Sequence, residues 1–308
     1  MKKTVICGAT GLVGGALAKR LHEDGHDLVL VGRDPNKLRE TFNFGPECLT
    51  WDELLASDPQ EIDVIINLAG ASVGDKRWTT AYKQVMRESR IGTTASCVEM
   101  CQKNPRIRLI NASAVSAYGF YYDDPFDFAE SDVDKRTGTS FLQELIDDWE
   151  AEALKAEEYG SKVTLLRIGV VLDRFGGAMP IMMRPYRFYF GGPIGAGKQI
   201  MSWIGLRDLI NGICFLIERS DVVGPVNLVS PGACTQKEFA AALGKSLRKP
   251  SAVTLPAPMA RAIMGQFGQE LVLTGQRVKP QVLLQNGFEF QDTEINAFLQ
   301  GLFAESNR

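Results

Sequence analysis

Short β-branched runs alternate with longer amphipathic stretches through the first half of the chain. The apolar runs lie at residues 4–7, 28–31, 64–66, 108–110 and 163–166. Between them, apolar residues recur at helical spacing, as at Val13, Leu17 and Leu21. This alternation is typical of βαβ units around a parallel sheet that is buried on both faces. The pattern predicts an α/β fold, a Rossmann-type doubly wound parallel sheet.

The residue composition of the chain changes after about Leu172. Glycine, proline, methionine and aromatic residues crowd into residues 175–180 and 188–197, which predicts loops that shape a pocket. Thr235 and Glu238 form a capping box that opens a helix running to Leu247. We expect residues 1–172 plus about 205–230 to form the Rossmann domain. Residues 173–204 plus 231–308 are expected to form a small mixed, mainly helical substrate lobe.

Composition and charge exclude several classes of protein. The 308 residues carry 34 basic and 37 acidic side chains, so nothing indicates the excess of positive charge that nucleic-acid binding requires. His22 and His26 are the two histidines of the chain, which excludes a Ser-His-Asp triad and histidine-based metal sites elsewhere. We therefore expect a small-molecule substrate, no nucleic-acid partner and no metal.

The cysteines and the lengths of the apolar runs indicate in which cellular compartment the protein is expected. The six cysteines are scattered and form no Cys-x-x-Cys pair, which is typical of reduced, packed thiols. The apolar run after Met1-Lys2-Lys3 is too short for a signal-peptide core, and no run approaches the length of a membrane span. We expect a cytoplasmic protein with no membrane partner, and the sequence leaves the oligomeric state open.

A glycine-rich turn follows the first predicted strand. Residues 8–14 read Gly-Ala-Thr-Gly-Leu-Val-Gly and open the first predicted helix. The three glycines permit a tight turn and a close approach of backbone N–H groups to a pyrophosphate, and the helix N-terminus adds positive partial charge. We predict a dinucleotide site here, although glycines at this spacing also serve packing alone. The expected cofactor contacts are Gly8, Thr10, Gly11, Leu12, Val13 and Gly14.

The end of the second predicted strand indicates which dinucleotide binds. NAD-preferring proteins place an acidic residue there, which bonds the adenine-ribose 2′-hydroxyl, whereas Arg33 occupies that place here. A guanidinium suits a 2′-phosphate, and Lys37 adds a second charge. We therefore predict NADP(H) as the cofactor. The alternative is that Arg33 is merely exposed and that Asp34 faces the ribose or caps the next helix.

Further motifs extend beyond the cofactor end. Residues 67–70 read Asn-Leu-Ala-Gly after one strand, and Ser113 is followed by Tyr118-Gly119 after the next. Together with the glycine turn, these motifs make the chain resemble the extended short-chain dehydrogenase/reductase superfamily. Other segments resemble one atypical branch, the SDR39U1-like or YfcH-like group of epimerase-family proteins with a short C-terminal lobe. These segments are residues 50–54, 75–78, 149–150, 169–172, 191–199 and 275–278.

The resemblance implies cofactor contacts at Asn67, Leu68, Ala69 and Gly70, and places Arg167, Gly169 and Val170 where superfamily members touch the nicotinamide. Arg167 is equally suited to a structural ion pair. The branch usually carries a histidine after Trp-Ile, where this chain has Gly205.

The general acid/base pair of the wider superfamily is missing. There a tyrosine in Tyr-x-x-x-Lys moves the proton, and this chain contains no such motif. Counting along the chain places the expected tyrosine near Phe141 and the expected lysine near Leu145, neither of which can transfer a proton. The missing pair therefore argues against ordinary ketoreductase or sugar-epimerase chemistry.

Other side chains near the expected nicotinamide are candidates for the chemistry. Ser113 lies just past a parallel strand, where ligands bind, or is a turn or capping residue. Tyr118 is a candidate acid/base or a wall of the nicotinamide pocket. Weaker candidates, more typical of a solvent-facing loop, are Tyr121, Tyr122, Asp123 and Asp124. Glu130 is a further weak candidate, as a carboxylate acid/base if it is buried.

The glycine-rich stretch from Gly191 to Trp203 is expected to close over cofactor and substrate. In that role Lys198 provides charge, Gln199 an amide and Trp203 a stacking face. The alternative is a loop that only packs between domains.

Two functions follow from these features. The first is an NADP-dependent oxidoreductase or epimerase that acts on a small hydroxyl or carbonyl substrate with a non-standard proton donor. The second is a non-catalytic NADP(H)-binding redox sensor or scaffold that has lost the tyrosine and lysine.

Overall fold

The computed structural model describes residues 3–122, 126–136 and 139–304. Asp123 and Asp124, two of the weaker candidates, lie outside these residues. The α-helices are α1 (Leu12–Glu23), α2 (Pro35–Thr41), α3 (Trp51–Ala56), α4 (Thr80–Lys103), α5 (Phe141–Glu158), α6 (Met179–Arg187), α7 (Leu206–Glu218), α8 (Gln236–Leu247), α9 (Ala257–Phe267), α10 (Gln281–Gln285) and α11 (Ile295–Ala304). Short 3₁₀ turns cover Pro59–Glu61, Val115–Tyr118 and Glu130–Lys135, and Gly268–Val272 form a π-helix.

The strands form one large parallel sheet and three small pairs. They are β1 (Lys3–Cys7), β2 (Asp27–Val31), β3 (Glu47–Leu49), β4 (Ile62–Asn67), β5 (Arg108–Ala114), β6 (Asp127–Phe128), β7 (Val163–Ile168), β8 (Val170–Leu172), β9 (Ile200–Met201), β10 (Trp203–Gly205), β11 (Gly224–Leu228), β12 (Cys234–Thr235) and β13 (Arg277–Val278). The seven-stranded sheet has the order β11-β7-β5-β4-β1-β2-β3, and every pairing in it is parallel. The strand order reverses between β1 and β4, which is where doubly wound sheets bind ligands.

Both faces of this sheet are covered, as the near-continuous apolar strands predict. On one side Leu17 and Leu21 of α1 pack with Ile6 of β1, and α7 completes that layer. On the other side Cys97 of α4 and Ala153 of α5 pack against Val5 and its neighbours. The predicted fold class is therefore confirmed, and the predicted capping box opens α8 at Thr235.

Residues after β8 build a separate hydrophobic cluster, beyond the two layers that cover the sheet. Met179 and Tyr186 of α6 pack with Phe239 of α8 and Leu299 of α11. The small pairs β8–β10 and β9–β12 tie this lobe to the chain that leaves the sheet. All six cysteines are free thiols. No helix among the described residues combines the length and the apolar character that crossing a bilayer requires.

Candidate functional site

The turn between β1 and α1 has the geometry of an anion-binding loop. Gly8 has a φ of +85°, and a Cβ there would lie 2.8 Å from the carbonyl oxygen of Leu68 and 2.9 Å from Ala69 N. A Cβ on Gly14 would lie 2.4 Å from the carbonyl oxygen of Gly8. Glycine at these positions is therefore what allows β1, α1 and the loop after β4 to pack this closely.

The N-terminus of α1 has no cap of its own. Gly11 is the N-cap and offers no side-chain hydrogen bond, and the first turn of α1 holds no acidic residue. The next four helices, α2 to α5, begin with the side-chain caps Asp34, Thr50, Thr79 and Ser140, whereas α6, α7, α9 and α10 lack one as α1 does. The first N–H groups of α1 are thus left for an external acceptor such as a phosphate. Thr10 is exposed beside them, whereas the Leu12 side chain packs on Gly176.

Replacing Gly8 with alanine is expected to lower the free energy of unfolding by about 2–3 kcal/mol, because a left-handed φ and a close contact with backbone both cost free energy. Dinucleotide binding should weaken as well, because the loop has to move. Chemical denaturation and a fluorescence titration measure the two effects. Gly25→Ala is the matched control, since Gly25 has a φ of +81° but open space around a Cβ. Equal losses in both variants would contradict a role for the close packing.

Arg33 and Asp34 have separate roles at the end of β2. The Asp34 carboxylate accepts hydrogen bonds from the backbone N–H groups of Asn36 at 3.1 Å and Lys37 at 3.2 Å, and so caps α2. Arg33 is exposed and, among the described residues, has no hydrogen-bond or ion-pair partner. Of the alternatives that the sequence left open, Asp34 takes the capping role, and Arg33 is an unpaired cation among the described residues at this edge.

Asn67 holds the loop after β4 from inside the protein. Its Nδ2 donates to Thr94 Oγ1 at 3.0 Å and to Asn111 Oδ1 at 2.8 Å, and its Oδ1 accepts from Ala69 N at 3.2 Å. The side chain is fully buried. Asn67 therefore fixes the backbone of Leu68 and Ala69 against Gly8 and has no side-chain atom that faces a ligand. Gly70 lies against the Arg90 side chain.

Ser113, Glu150 and Arg167 form a buried polar group at the carboxyl ends of β5 and β7. The Ser113 hydroxyl donates to Glu150 Oε1 over 2.5 Å. Arg167 donates from Nε to Glu150 Oε1 at 2.9 Å and from Nη2 to Glu150 Oε2 at 2.8 Å. Burial lowers the pKa of Arg167, but the hydrogen bonds and charge of Glu150 outweigh that effect and raise the pKa. The two side chains are therefore a fixed bidentate ion pair.

Tyr118 is part of the same buried group. Its hydroxyl donates to Asn227 Oδ1 at 2.7 Å and accepts from Arg167 Nη1 at 3.0 Å, and the residue has no exposed surface. Burial raises the pKa of Tyr118 to about 12, although Arg167 opposes that shift. A phenol in this state stays protonated at neutral pH and has no free face toward a ligand. The geometry therefore favours a packing and hydrogen-bonding role for Tyr118 over proton transfer.

Glu130 borders this buried group, because its backbone carbonyl oxygen accepts a hydrogen bond from Arg167 Nη1. Its Oε1 accepts from the backbone N–H groups of Asn227 at 3.0 Å and Val282 at 3.2 Å, while Oε2 is buried and has no hydrogen-bond partner. Burial raises the pKa of Glu130 against the opposing effect of those backbone hydrogen bonds. Glu130 thus joins β11 to the first turn of α10. Tyr121 bonds the Tyr118 carbonyl, and Tyr122 lies at the surface beside Gln269.

Apolar contacts fill the positions of the missing tyrosine and lysine. The ring centroid of Phe141 is 5.6 Å from that of Trp78, and Leu145 is buried beside Met86. The Lys83 ammonium lies 4.9 Å from the Phe141 ring centroid. Neither Phe141 nor Leu145 offers a group that exchanges protons, which agrees with the reading of the sequence.

The expected substrate residues lie mostly inside the protein. Trp203 is fully buried, its Nε1 donates to the Gly232 carbonyl at 2.8 Å, and its ring packs on Phe298. Gln199 donates to the carbonyl oxygens of Ile194 and Val272, so it joins the glycine-rich loop to the π-helix. In this arrangement Trp203 has no stacking face and Gln199 no free amide N–H for a substrate. Lys198 is exposed.

The residues after β7 are also used in packing. A Cβ on Gly169 would lie 2.6 Å from the Ser202 carbonyl oxygen, and Val170 N donates to that same oxygen at 2.9 Å. A Cβ on Gly205 would lie 2.8 Å from Phe298 Cε2. Glycine is therefore required at 169 to bring β8 and β10 together, and Phe298 occupies the space beside Gly205.

Glu150 and Asn227 belong to this buried polar group, although no sequence motif pointed to them. Their positions on single elements carry the one indication of a role. Glu150 falls on the buried face of α5 between Ile146 and Ala153, and Asn227 interrupts the apolar strand β11. A carboxylate and an amide on otherwise apolar buried faces each indicate a partner.

The fold and the loop at residues 8–14 define a Rossmann-type dinucleotide-binding protein. The family model described as "NAD dependent epimerase/dehydratase family" matches residues 4–228, and the domain of unknown function DUF1731 matches residues 255–302. The chain therefore belongs to the NAD-dependent epimerase/dehydratase family.

Relatives cover the chain from end to end. An epimerase family protein of Mycobacterium leprae (strain TN) is 35% identical over 294 residues, which cover 96% of this chain and 93% of the relative. One from Staphylococcus aureus (strain MRSA252) is 36% identical over 312 residues, covering 99% and 100%. The crystal structure of human epimerase family protein SDR39U1 (isoform 2) with NADPH matches with a TM-score of 0.85 and 30% identity, covering 98% and 99%. The predicted family and nicotinamide-dinucleotide class of cofactor are thus confirmed.

Proposed function

We propose that this chain binds NADP(H) and acts as an oxidoreductase or epimerase on a small substrate with a hydroxyl or carbonyl group. The observation that carries the proposal is the unpaired guanidinium of Arg33 at the end of β2, beside the Asp34 carboxylate that caps α2. A 2′-phosphate needs a cation at that place, whereas NAD-binding proteins use a carboxylate. The human relative solved with NADPH supports the same preference.

The residues present fit this cofactor. The uncapped N-terminus of α1 suits the pyrophosphate, and Arg33 suits the 2′-phosphate. When bound, the nicotinamide supplies or accepts a hydride.

Ser113 and Glu150 are the proposed route for the proton. In the oxidation direction, Ser113 Oγ accepts the substrate hydroxyl proton while its own proton passes to Glu150 Oε1 along their 2.5 Å hydrogen bond. In the reduction direction both transfers reverse, starting from Glu150 in its protonated form. Arg167 orients the Glu150 carboxylate through two hydrogen bonds. This route needs no Tyr-x-x-x-Lys pair.

Cofactor titrations test the first part of the proposal. Arg33→Ala is expected to weaken NADPH binding by about 1–3 kcal/mol, because it removes a charge-assisted hydrogen bond, and to leave NADH binding unchanged. Nucleotide fluorescence measures both affinities. Arg106→Ala is the matched control. Arg106 is an exposed arginine that precedes β5, so it lies at the amino ends of the strands, whereas Arg33 follows the carboxyl end of β2. Equal affinities for NADPH and NADH in the unaltered protein would overturn the assignment to NADP(H).

A non-catalytic NADP(H)-binding sensor or scaffold is the second candidate. It is favoured by the apolar contacts of Phe141 and Leu145 and by the internal hydrogen bonds of Tyr118. An enzyme should oxidise NADPH with at least one member of a carbonyl panel. A sensor should bind NADPH without turnover and change its association state between NADPH and NADP⁺.

A further inference from the structure

The ends of α6 and α8 meet in a patch that the cofactor site does not use. The ammonium of Lys249 lies 3.9 Å from the centroid of the Tyr189 ring, and Val253 N donates to the carbonyl oxygen of Gly191. The aromatic–basic patch consists of Arg184, Arg187, Phe188, Tyr189, Phe190, Arg248 and Lys249.

The patch exposes three consecutive aromatic side chains. Phe188 is 71% exposed, Tyr189 59% and Phe190 67%. Ile181 and Arg184 lie on the same stripe of α6 as Phe188 and are also exposed, whereas Met179 and Tyr186 on the opposite side are buried. Adjacent exposed apolar side chains of this size are typical of a binding surface rather than of ordinary protein surface.

Backbone strain is concentrated at the same place. Tyr189 and Arg248, with φ of 63° and 53°, are the non-glycine residues of the described chain that adopt positive φ. Each follows a helix whose last carbonyl groups accept the paired hydrogen bonds of a Schellman motif, from Tyr189 and Phe190 after α6 and from Arg248 and Lys249 after α8. Glycine is the favoured residue there, so the two side chains are retained at a cost in stability. Such outliers cluster at functional surfaces.

Charge is segregated toward this lobe. Residues 174–207 and 239–269 contain nine of the 34 basic residues and none of the 37 acidic residues. Among the described residues, the four cations of the patch form no ion pair. Of these nine, Arg207 is paired with Asp292, whereas Arg184, Arg187, Arg248 and Lys249 belong to the patch and place four cations beside its exposed aromatic rings.

We propose that the aromatic–basic patch docks on the surface of an anionic phospholipid bilayer. Aromatic rings favour the head-group region of a membrane, and arginine and lysine are attracted to anionic lipid. The combination of both on one surface matches the chemistry of interfacial binding, which needs no spanning helix. The expectation of no membrane partner rested on the lack of a spanning segment and does not bear on this contact.

Vesicle co-sedimentation of the full chain tests the proposal. Binding is expected to vesicles of phosphatidylcholine mixed with phosphatidylglycerol, to decrease in high salt, and to be weak on phosphatidylcholine alone. Phe188→Ser with Phe190→Ser, and separately Arg184→Glu with Arg187→Glu, should each lower the affinity by about tenfold or more. The controls are Tyr159→Ser, an exposed aromatic at the end of α5, and the pair Lys19→Glu with Arg106→Glu, which makes the same change in net charge.

A second variant keeps the test independent of folding defects. Tyr189→Gly is expected to raise the melting temperature, because glycine relieves the positive φ, and to lower vesicle affinity. No binding to the mixed vesicles, or binding that the patch variants leave unchanged, would overturn the proposal. Patch variants that alter the association state without any vesicle binding would assign the surface to a protein partner instead. Equal binding to the mixed vesicles and to vesicles of phosphatidylcholine alone would exclude recognition of anionic lipid.

Discussion

Replacement of Arg167 by leucine is expected to lower the free energy of unfolding by about 3–5 kcal/mol, because it leaves the Glu150 carboxylate buried without its countercharge. The Arg167 and Glu150 side chains are 5% and 12% exposed, and the guanidinium also bonds Tyr118 and the Glu130 carbonyl oxygen. Chemical denaturation measures the loss. The double variant Arg167→Leu with Glu150→Leu should be more stable than the single variant, since it leaves no unpaired charge.

Arg207→Leu is the matched control for this prediction. Arg207 and Asp292 form an ion pair with the same 2.8 Å separation as Arg167 and Glu150, but the Arg207 side chain is 60% exposed. Solvent screening should hold the loss there to about 1 kcal/mol or less. Similar losses at Arg167 and Arg207 would contradict the view that the buried ion pair is a structural centre of the site.

Ser113→Ala is expected to lower the rate of NADPH-dependent turnover by about 10²–10⁴-fold, the usual contribution of a positioned proton-transfer group. The variant removes the hydroxyl that bonds Glu150 and leaves the ion pair with Arg167 in place. NADPH affinity should be unchanged, because the variant alters neither the loop at residues 8–14 nor Arg33. Stopped-flow oxidation of NADPH with the active member of a carbonyl panel measures the rate, and a fluorescence titration measures the affinity.

Tyr118→Phe separates a chemical role from a structural one. The hydroxyl of Tyr118 bonds Asn227 and Arg167 inside the protein, so its loss should lower stability by about 1–3 kcal/mol and reduce the rate far less than Ser113→Ala does. A rate loss in Tyr118→Phe as large as in Ser113→Ala would instead assign proton transfer to the tyrosine. Unchanged turnover in Ser113→Ala would refute the Ser113–Glu150 route.

The sequence by itself determined the parallel sheet, the glycine-rich loop at residues 8–14 and the absence of the Tyr-x-x-x-Lys acid/base pair. These features depend on residues that are neighbours along the chain, such as the run from Gly8 to Gly14 between β1 and α1. Local spacing also predicted that α8 starts at its capping box. Thr235 and Glu238 each accept a hydrogen bond from the other's backbone N–H group, within one helical turn. For the same reason, the absence of Tyr-x-x-x-Lys was readable without a structure.

Tertiary structure decided which polar side chains stay exposed and which bond each other inside the protein. Ser113, Glu150 and Arg167 come from β5, α5 and β7, and their distances follow from how α5 packs across two neighbouring strands. Trp203 and Gln199 sit in a glycine-rich stretch that indicated a lid, but β10 carries the indole into the core of the C-terminal lobe. Periodicity reports burial along one element, whereas the partner of a buried polar group lies on another element, so only the folded chain identifies it.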